Sequence, residues 1–152
     1  MPRTAETASF QFNHTMVRVR DAESSVKFYT EGLDVLLFAE KNMGNFTLYF
    51  LAFDQGQNYK DISEEGKSQA LFAREGVFEL THSHGTETDV SFASHSSGNS
   101  DPGKGFGHIA FTVDDLGVKI KKRLQDGKMK HIAFIMDPDG YWIEVVANGL
   151  KQ

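Results

Sequence analysis

One pattern occurs twice in this chain, and it limits the folds open to it. Phe12-Asn13-His14-Thr15-Met16-Val17-Arg18-Val19-Arg20-Asp21 and Phe106-Gly107-His108-Ile109-Ala110-Phe111-Thr112-Val113-Asp114-Asp115 share a skeleton of Phe, His, Val and Asp at equal spacing. Each copy alternates polar and apolar residues with the period of a strand. In the later copy Ile109, Phe111 and Val113 form an apolar face, which leaves His108, Ala110 and Thr112 on the other. A histidine among small side chains on the open face of a strand, in two copies, points to a site built from two similar halves.

The 152 residues suffice for one unit with a sizeable core, divided as module one at about 10–82, a linker at 83–104 and module two at about 105–148. A net charge of -5 argues against nucleic acid as the main partner. There is no cysteine, so disulfides and thiolate ligation are excluded, which agrees with a reducing cytoplasm. No apolar run is long enough to span a bilayer, and Met1 to Glu6 lack the apolar core of a signal peptide. A soluble cytoplasmic protein without membrane contact is expected.

Along the chain, the His14 strand ends at Asp21, a helix N-cap, and the helix runs from Ala22 until Gly32 stops it. Val35 to Ala39 and Phe46 to Phe53 read as strands around a turn at 42–45. Asp54 to Ser68 reads as a polar surface loop, and a further strand lies within Ala70 to Thr81. The first module is thus β-α-β-β-β. In the second, the His108 strand is followed by Asp114-Asp115-Leu116-Gly117, too short for a helix, then by Val118 to Arg123 and by strands at Lys130 to Met136 and Tyr141 to Val146. The fold class is α+β, with paired modules of which the second lacks its helix. That loss would leave the apolar face of Ile109, Phe111 and Val113 without a cover, at about 25 cal/mol per Å².

His14, Glu79, His108 and Glu144 each fall mid-strand, one His and one Glu per module. Two imidazoles and two carboxylates form a nitrogen and oxygen set suited to a divalent metal ion. His82, His84, His95 and His131 lack the support of the repeat and are read as loop or strand-end residues.

The motifs around these residues resemble glyoxalase I, of the vicinal oxygen chelate superfamily. They are Phe12-Asn13-His14-Thr15-Met16-Val17-Arg18-Val19, Glu79-Leu80-Thr81-His82, Gly105-Phe106-Gly107-His108 and Asp137-Pro138-Asp139-Gly140-Tyr141-Trp142-Ile143-Glu144, in family order from about Phe10 to Asn148. The resemblance implies paired β-α-β-β-β modules and isomerisation of the hemithioacetal of methylglyoxal and glutathione to S-lactoylglutathione. It implies His14, Glu79, His108 and Glu144 as metal ligands, with Glu144 the principal base and Glu79 its counterpart. The chemistry is consistent, since proton removal next to a carbonyl leaves two adjacent oxygens that a Lewis acid can stabilise. Zinc is the first choice of metal, with nickel or cobalt as alternatives because His14 stands where zinc-type members carry Gln.

The same resemblance places glutathione against Arg18, Ser83, Lys104, Lys122, Lys128 and Met129. Ser83 and Lys104 depart from the family's Asn and Arg, and lysine lacks the forked geometry of a guanidinium. It also implies a homodimer whose subunits complete the site together. Two rival readings use the same fold: a metal-free module that binds a small ligand, and an iron-dependent ring-cleaving dioxygenase with two His and one Glu.

Overall fold

Asp21 starts the first helix as its position predicts. Strand β1 (His14–Val19) leads into it, and its carboxylate accepts the backbone N–H groups of Glu23 at 3.0 Å and Ser24 at 3.3 Å. The hydroxyl of Ser24 also donates to it, and these contacts hold the Asp21 carboxyl below its ordinary range. The computed structural model describes residues 3–56, 59, 62–114 and 132–148. Helix α1 (Ala22–Leu33) runs past Gly32 and is stopped instead by Asp34, whose φ of 54° is left-handed.

Strands β2 (Leu36–Asn42) and β3 (Phe46–Ala52) form a hairpin. In its turn the Asn42 side chain accepts the N–H of Gly44, where φ is 97°. A shift of register between Leu37 and Ala39 interrupts the β2 ladder. The polar stretch read as a loop at 54–68 contains the start of a second helix, α2 (Glu64–Phe72), which continues into the beginning of the span at 70–81. Ser63 caps it through Gly66 N–H at 3.2 Å, and Glu64 and Glu65 complement its dipole. Only Leu71 of this helix is fully buried, so the sequence carries no apolar stripe to announce it. Strand β4 (Val77–Ser83) lies where the alternation of the sequence puts it within 70–81, and runs two residues further.

The first sheet has the order β1-β4-β3-β2, with β1 and β4 parallel and the other pairs antiparallel. Strands β5 (His108–Val113), β6 (Ile132–Met136) and β7 (Trp142–Ala147) form a second sheet in the order β5-β7-β6, with β5 and β7 parallel. The second sheet repeats the first three positions of the first: β5 stands as β1, β7 as β4, and β6 as β3. Among the described residues the second half has no helix; the Val118 to Arg123 reading lies outside them.

One core joins the sheets. Val17 and Val19 of β1, Leu51 of β3, Phe78 and Leu80 of β4, Ile135 of β6, and Ile143 and Val145 of β7 are buried together with Tyr29 of α1. Ile109, Phe111 and Val113 pack half-buried against this cluster, and the Phe111 ring meets Phe53 edge-on at 5.3 Å. The face expected to lose its cover is therefore partly sheltered by the core that the first sheet shares. A smaller cluster of Phe38, Phe50, Ala52, Tyr59, Leu71 and Val77 lies between α2 and the other face of the first sheet.

The Asp-Pro-Asp-Gly turn before β7 fastens the second sheet to the first half. Asp139 accepts Arg20 N–H at 2.8 Å and the Ser25 hydroxyl at 3.1 Å, and Asp137 accepts the Tyr29 hydroxyl at 2.8 Å. The Tyr141 hydroxyl donates to the Arg18 carbonyl at 3.1 Å. Burial raises the Asp137 carboxyl from 3.8 to about 6, against the pull of the Tyr29 hydroxyl and the Tyr141 and Asp139 N–H groups. The folded chain then keeps a proton that the unfolded chain has lost between pH 4 and 6. Stability from this group is full below about pH 4 and declines as pH rises through about 6. Asp137→Asn should remove this decline, so that denaturant titrations across that window shift in the variant's favour by up to about 3 kcal/mol.

Candidate metal centre

Parallel pairing of β1 with β4 brings His14 beside Glu79. The Cα partner of His14 is Val77, so the glutamate stands two residues further along the neighbouring strand on the same face. His14 Nε2 is 3.5 Å from Glu79 Oε2, and its Nδ1 is 2.8 Å from Asn13 Oδ1. The other carboxylate oxygen of Glu79 accepts the Thr81 hydroxyl at 3.3 Å. Phe50 lies opposite Glu79 in the β3–β4 ladder, and its ring stands edge-on to His14 at 6.4 Å.

The second sheet repeats this arrangement. His108 is the Cα partner of Trp142, and Glu144 again stands two residues further along. His108 Nε2 is 3.2 Å from Glu144 Oε2. Phe134 lies opposite Glu144 in the β6–β7 ladder, and its ring is edge-on to His108 at 5.5 Å. In both pairs the imidazole is the more open member, with side-chain exposures of 40% for His14 and 43% for His108 against 11% for Glu79 and 19% for Glu144.

The four residues form two pairs and not one cluster. Among the described residues, no three His, Cys, Asp or Glu side chains are grouped to hold a metal ion. Alternation explains the separation: Val17, Val19, Phe78, Leu80, Ile143 and Val145 point into the shared core, so His14, Glu79 and Glu144 point out from their sheets. The spacing within each pair suits joint ligation. Two donors bound at ~2.1 Å to one cation, at octahedral to tetrahedral angles, stand roughly 3.0 to 3.4 Å apart. The His108–Glu144 pair at 3.2 Å falls in this range and the His14–Glu79 pair at 3.5 Å lies just above it, and imidazole with carboxylate suits a borderline divalent cation.

Of the residues expected to meet glutathione, Arg18 is exposed on the same face of β1 as His14, and its Cα partner is Thr81. Ser83 is half-buried at the end of β4, opposite Phe46. Lys104 lies in the segment between the sheets, where its ammonium is 3.2 Å from Asp101. Lys122, Lys128 and Met129 lie outside the described residues, as does His131. His82 is buried within β4 and 2.9 Å from Glu87, and His84 meets the Thr47 hydroxyl at 2.8 Å.

Residues 11–145 match the Glyoxalase/Bleomycin resistance protein/Dioxygenase superfamily. The lactoylglutathione lyase of Pseudomonas putida is 46% identical over 92% of this chain and 86% of its own length. That of Pseudomonas aeruginosa is 43% identical over 99% of this chain and 90% of its own. The chain belongs to the glyoxalase I family. A structure of glyoxalase I from Leishmania major, described as trypanothione-dependent, superposes with a TM-score of 0.63 at 26% identity, covering 91% of this chain and 87% of that one. Glyoxalase I from Zea mays gives 0.65 at 25% identity, over 91% of this chain and 45% of that one.

Glyoxalase I membership implies a divalent metal and a glutathione-derived substrate, in keeping with the donor types in both pairs. The Pseudomonas aeruginosa alignment runs over 163 positions, more than the 152 residues of this chain, so that glyoxalase I carries residues absent here. Sequence reasoning did not find Phe50, Phe134, Thr81 or Asn13. The two Phe residues are visible only once the register sets them opposite the two glutamates. Thr81 shares the Glu79 face by alternation and was legible as its neighbour. Replacing it tests that contact: Thr81→Val leaves a buried carboxylate oxygen without its donor and should lower stability by about 1 to 2 kcal/mol in urea titrations.

Proposed function

We propose that the chain isomerises the hemithioacetal of methylglyoxal and glutathione to S-lactoylglutathione, with His14, Glu79, His108 and Glu144 as ligands of one divalent metal ion. The observation that carries this reading is the recurrence of one His–Glu pair at the same register in both sheets. We place zinc first, with nickel or cobalt as alternatives, since imidazole and carboxylate suit all three. The complete set forms between two copies of the chain, with the His14 face of one meeting the His108 face of the other. Outward-facing pairs, each with an open imidazole, support this homodimer. The chain acts as one unit of two modules, at about 10–82 and 105–148 with 83–104 between them. The lack of cysteine supports work in a reducing cytoplasm.

A divalent cation held by these four residues would act as a Lewis acid toward the two neighbouring oxygens of the substrate, which lowers the cost of removing a carbon-bound proton. Glu144 takes that proton on a carboxylate oxygen and returns it to the adjacent carbon. Glu144 suits this task better than Glu79, because Thr81 restrains one oxygen of Glu79. Among the described residues, Glu144 has only its contact with His108. Glu79 holds the counterpart position on the far side of the site. Phe50 and Phe134 stand edge-on to the two imidazoles and give each pair an apolar neighbour on one side.

Arg18 binds a glutathione carboxylate through its forked guanidinium. It lies four residues beyond His14 on the same strand face, roughly 13 Å away, which a tripeptide and an arginine side chain together can bridge. Ser83, Lys104, Lys122, Lys128 and Met129 complete the glutathione contacts.

The test is an assay of thioester formation by apoprotein loaded in turn with zinc, nickel and cobalt. At least one metal should restore turnover, and Glu144→Gln should reduce kcat by 100-fold or more. Absence of product with all three metals defeats the isomerase reading. His14→Ala and His108→Ala should each weaken metal binding in chelator competition while the chain remains folded.

A further inference from the structure

Asn13 joins the His14 ring to helix α2. Its side-chain nitrogen lies 3.0 Å from the carbonyl of Leu71 and 2.7 Å from that of Arg74, at and just beyond the end of the helix. A carbonyl oxygen only accepts hydrogen bonds, so the NH2 end of the amide must be the end aimed at these two groups. The amide oxygen is left facing His14 Nδ1 at 2.8 Å, and that oxygen also only accepts. The contact is satisfied when the ring carries its proton on Nδ1. In the neutral ring Nε2 then holds the free lone pair, and it faces Glu79.

We propose that Asn13 is a positioning residue that fixes His14 in the Nδ1–H tautomer and so presents Nε2 for sharing a cation with Glu79. The end of α2 sets the orientation of Asn13 in turn. A neutral imidazole whose distal N–H is held by an oxygen binds a cation in a defined direction and with higher basicity. The device belongs to the first sheet alone, because the residue before His108 is Gly107, which has no side chain to act in this way. Its use in metal binding rests on the ligand role proposed for His14, whereas the tautomer itself requires no metal.

The primary test is long-range 1H–15N correlation NMR of metal-free protein at about pH 8, where an ordinary imidazole is neutral. His14 should show a protonated Nδ1 and an unprotonated Nε2. An Nε2–H ring, or an even mixture, overturns the proposal without any variant. Two substitutions separate tautomer control from a mere tie between strand and helix. Asn13→Ala should let the tautomers mix and weaken metal binding in chelator competition by about 10- to 100-fold. Asn13→Asp loses both donors to α2 yet keeps an acceptor for Nδ1–H, so it should retain the wild-type tautomer. Equal loss in both variants, or none in either, overturns the proposal. If His14→Ala leaves metal affinity unchanged, the ligand role of His14 fails, while the wild-type spectrum still decides the role of Asn13.

Discussion

A strand shows its side chains to opposite faces in turn, and in this chain one face of each sheet is committed to a single core. Val17 and Val19, Phe78 and Leu80, and Ile143 and Val145 occupy it as alternate residues of β1, β4 and β7. Each fully buried aliphatic or aromatic side chain contributes about 1.5 to 3 kcal/mol relative to exposure, so this commitment outweighs the preference of any single polar residue. The residues between them have no choice of direction. His14, Glu79 and Glu144 face outward because their neighbours face in, and a register slip of one residue would reverse both sets.

The pairing pattern then does the local assembly. A parallel neighbour places each glutamate beside its histidine, and an antiparallel neighbour places a phenylalanine opposite the glutamate. The two sites differ in how firmly they are held. Thr81 and Asn13 restrain Glu79 and His14, while His108 follows a glycine. The Asp-Pro-Asp-Gly turn holds the halves together from a distance, through Asp137 on Tyr29 and Asp139 on Arg20 and Ser25.

Much of this was legible in the sequence because it depends on period and punctuation. The two His strands, the Asp21 cap and the turn at Asn42 to Asn45 all follow from local rules. Helix α2 was not legible: it buries one residue fully, so neither face of it reads as apolar. The stop of α1 at Asp34 rather than Gly32 reflects an aspartate in the left-handed region, where glycine is the commoner choice. The four donor-type residues were found by their repeat. Their division between outward faces was not, since spacing along a chain says nothing about how two sheets stack.

The equal register of the two His–Glu pairs has a consequence for chain length. Each half carries one imidazole and one carboxylate, so any first half joined with any second half yields the same four donors. Fusing two copies end to end changes neither the number nor the kind of these sets. For the proposed homodimer, fusion would only replace an encounter between molecules with a tether, which raises the local concentration of one half around the other. Glyoxalase I from Zea mays, of whose length this chain covers 45%, is a polypeptide of about double this size.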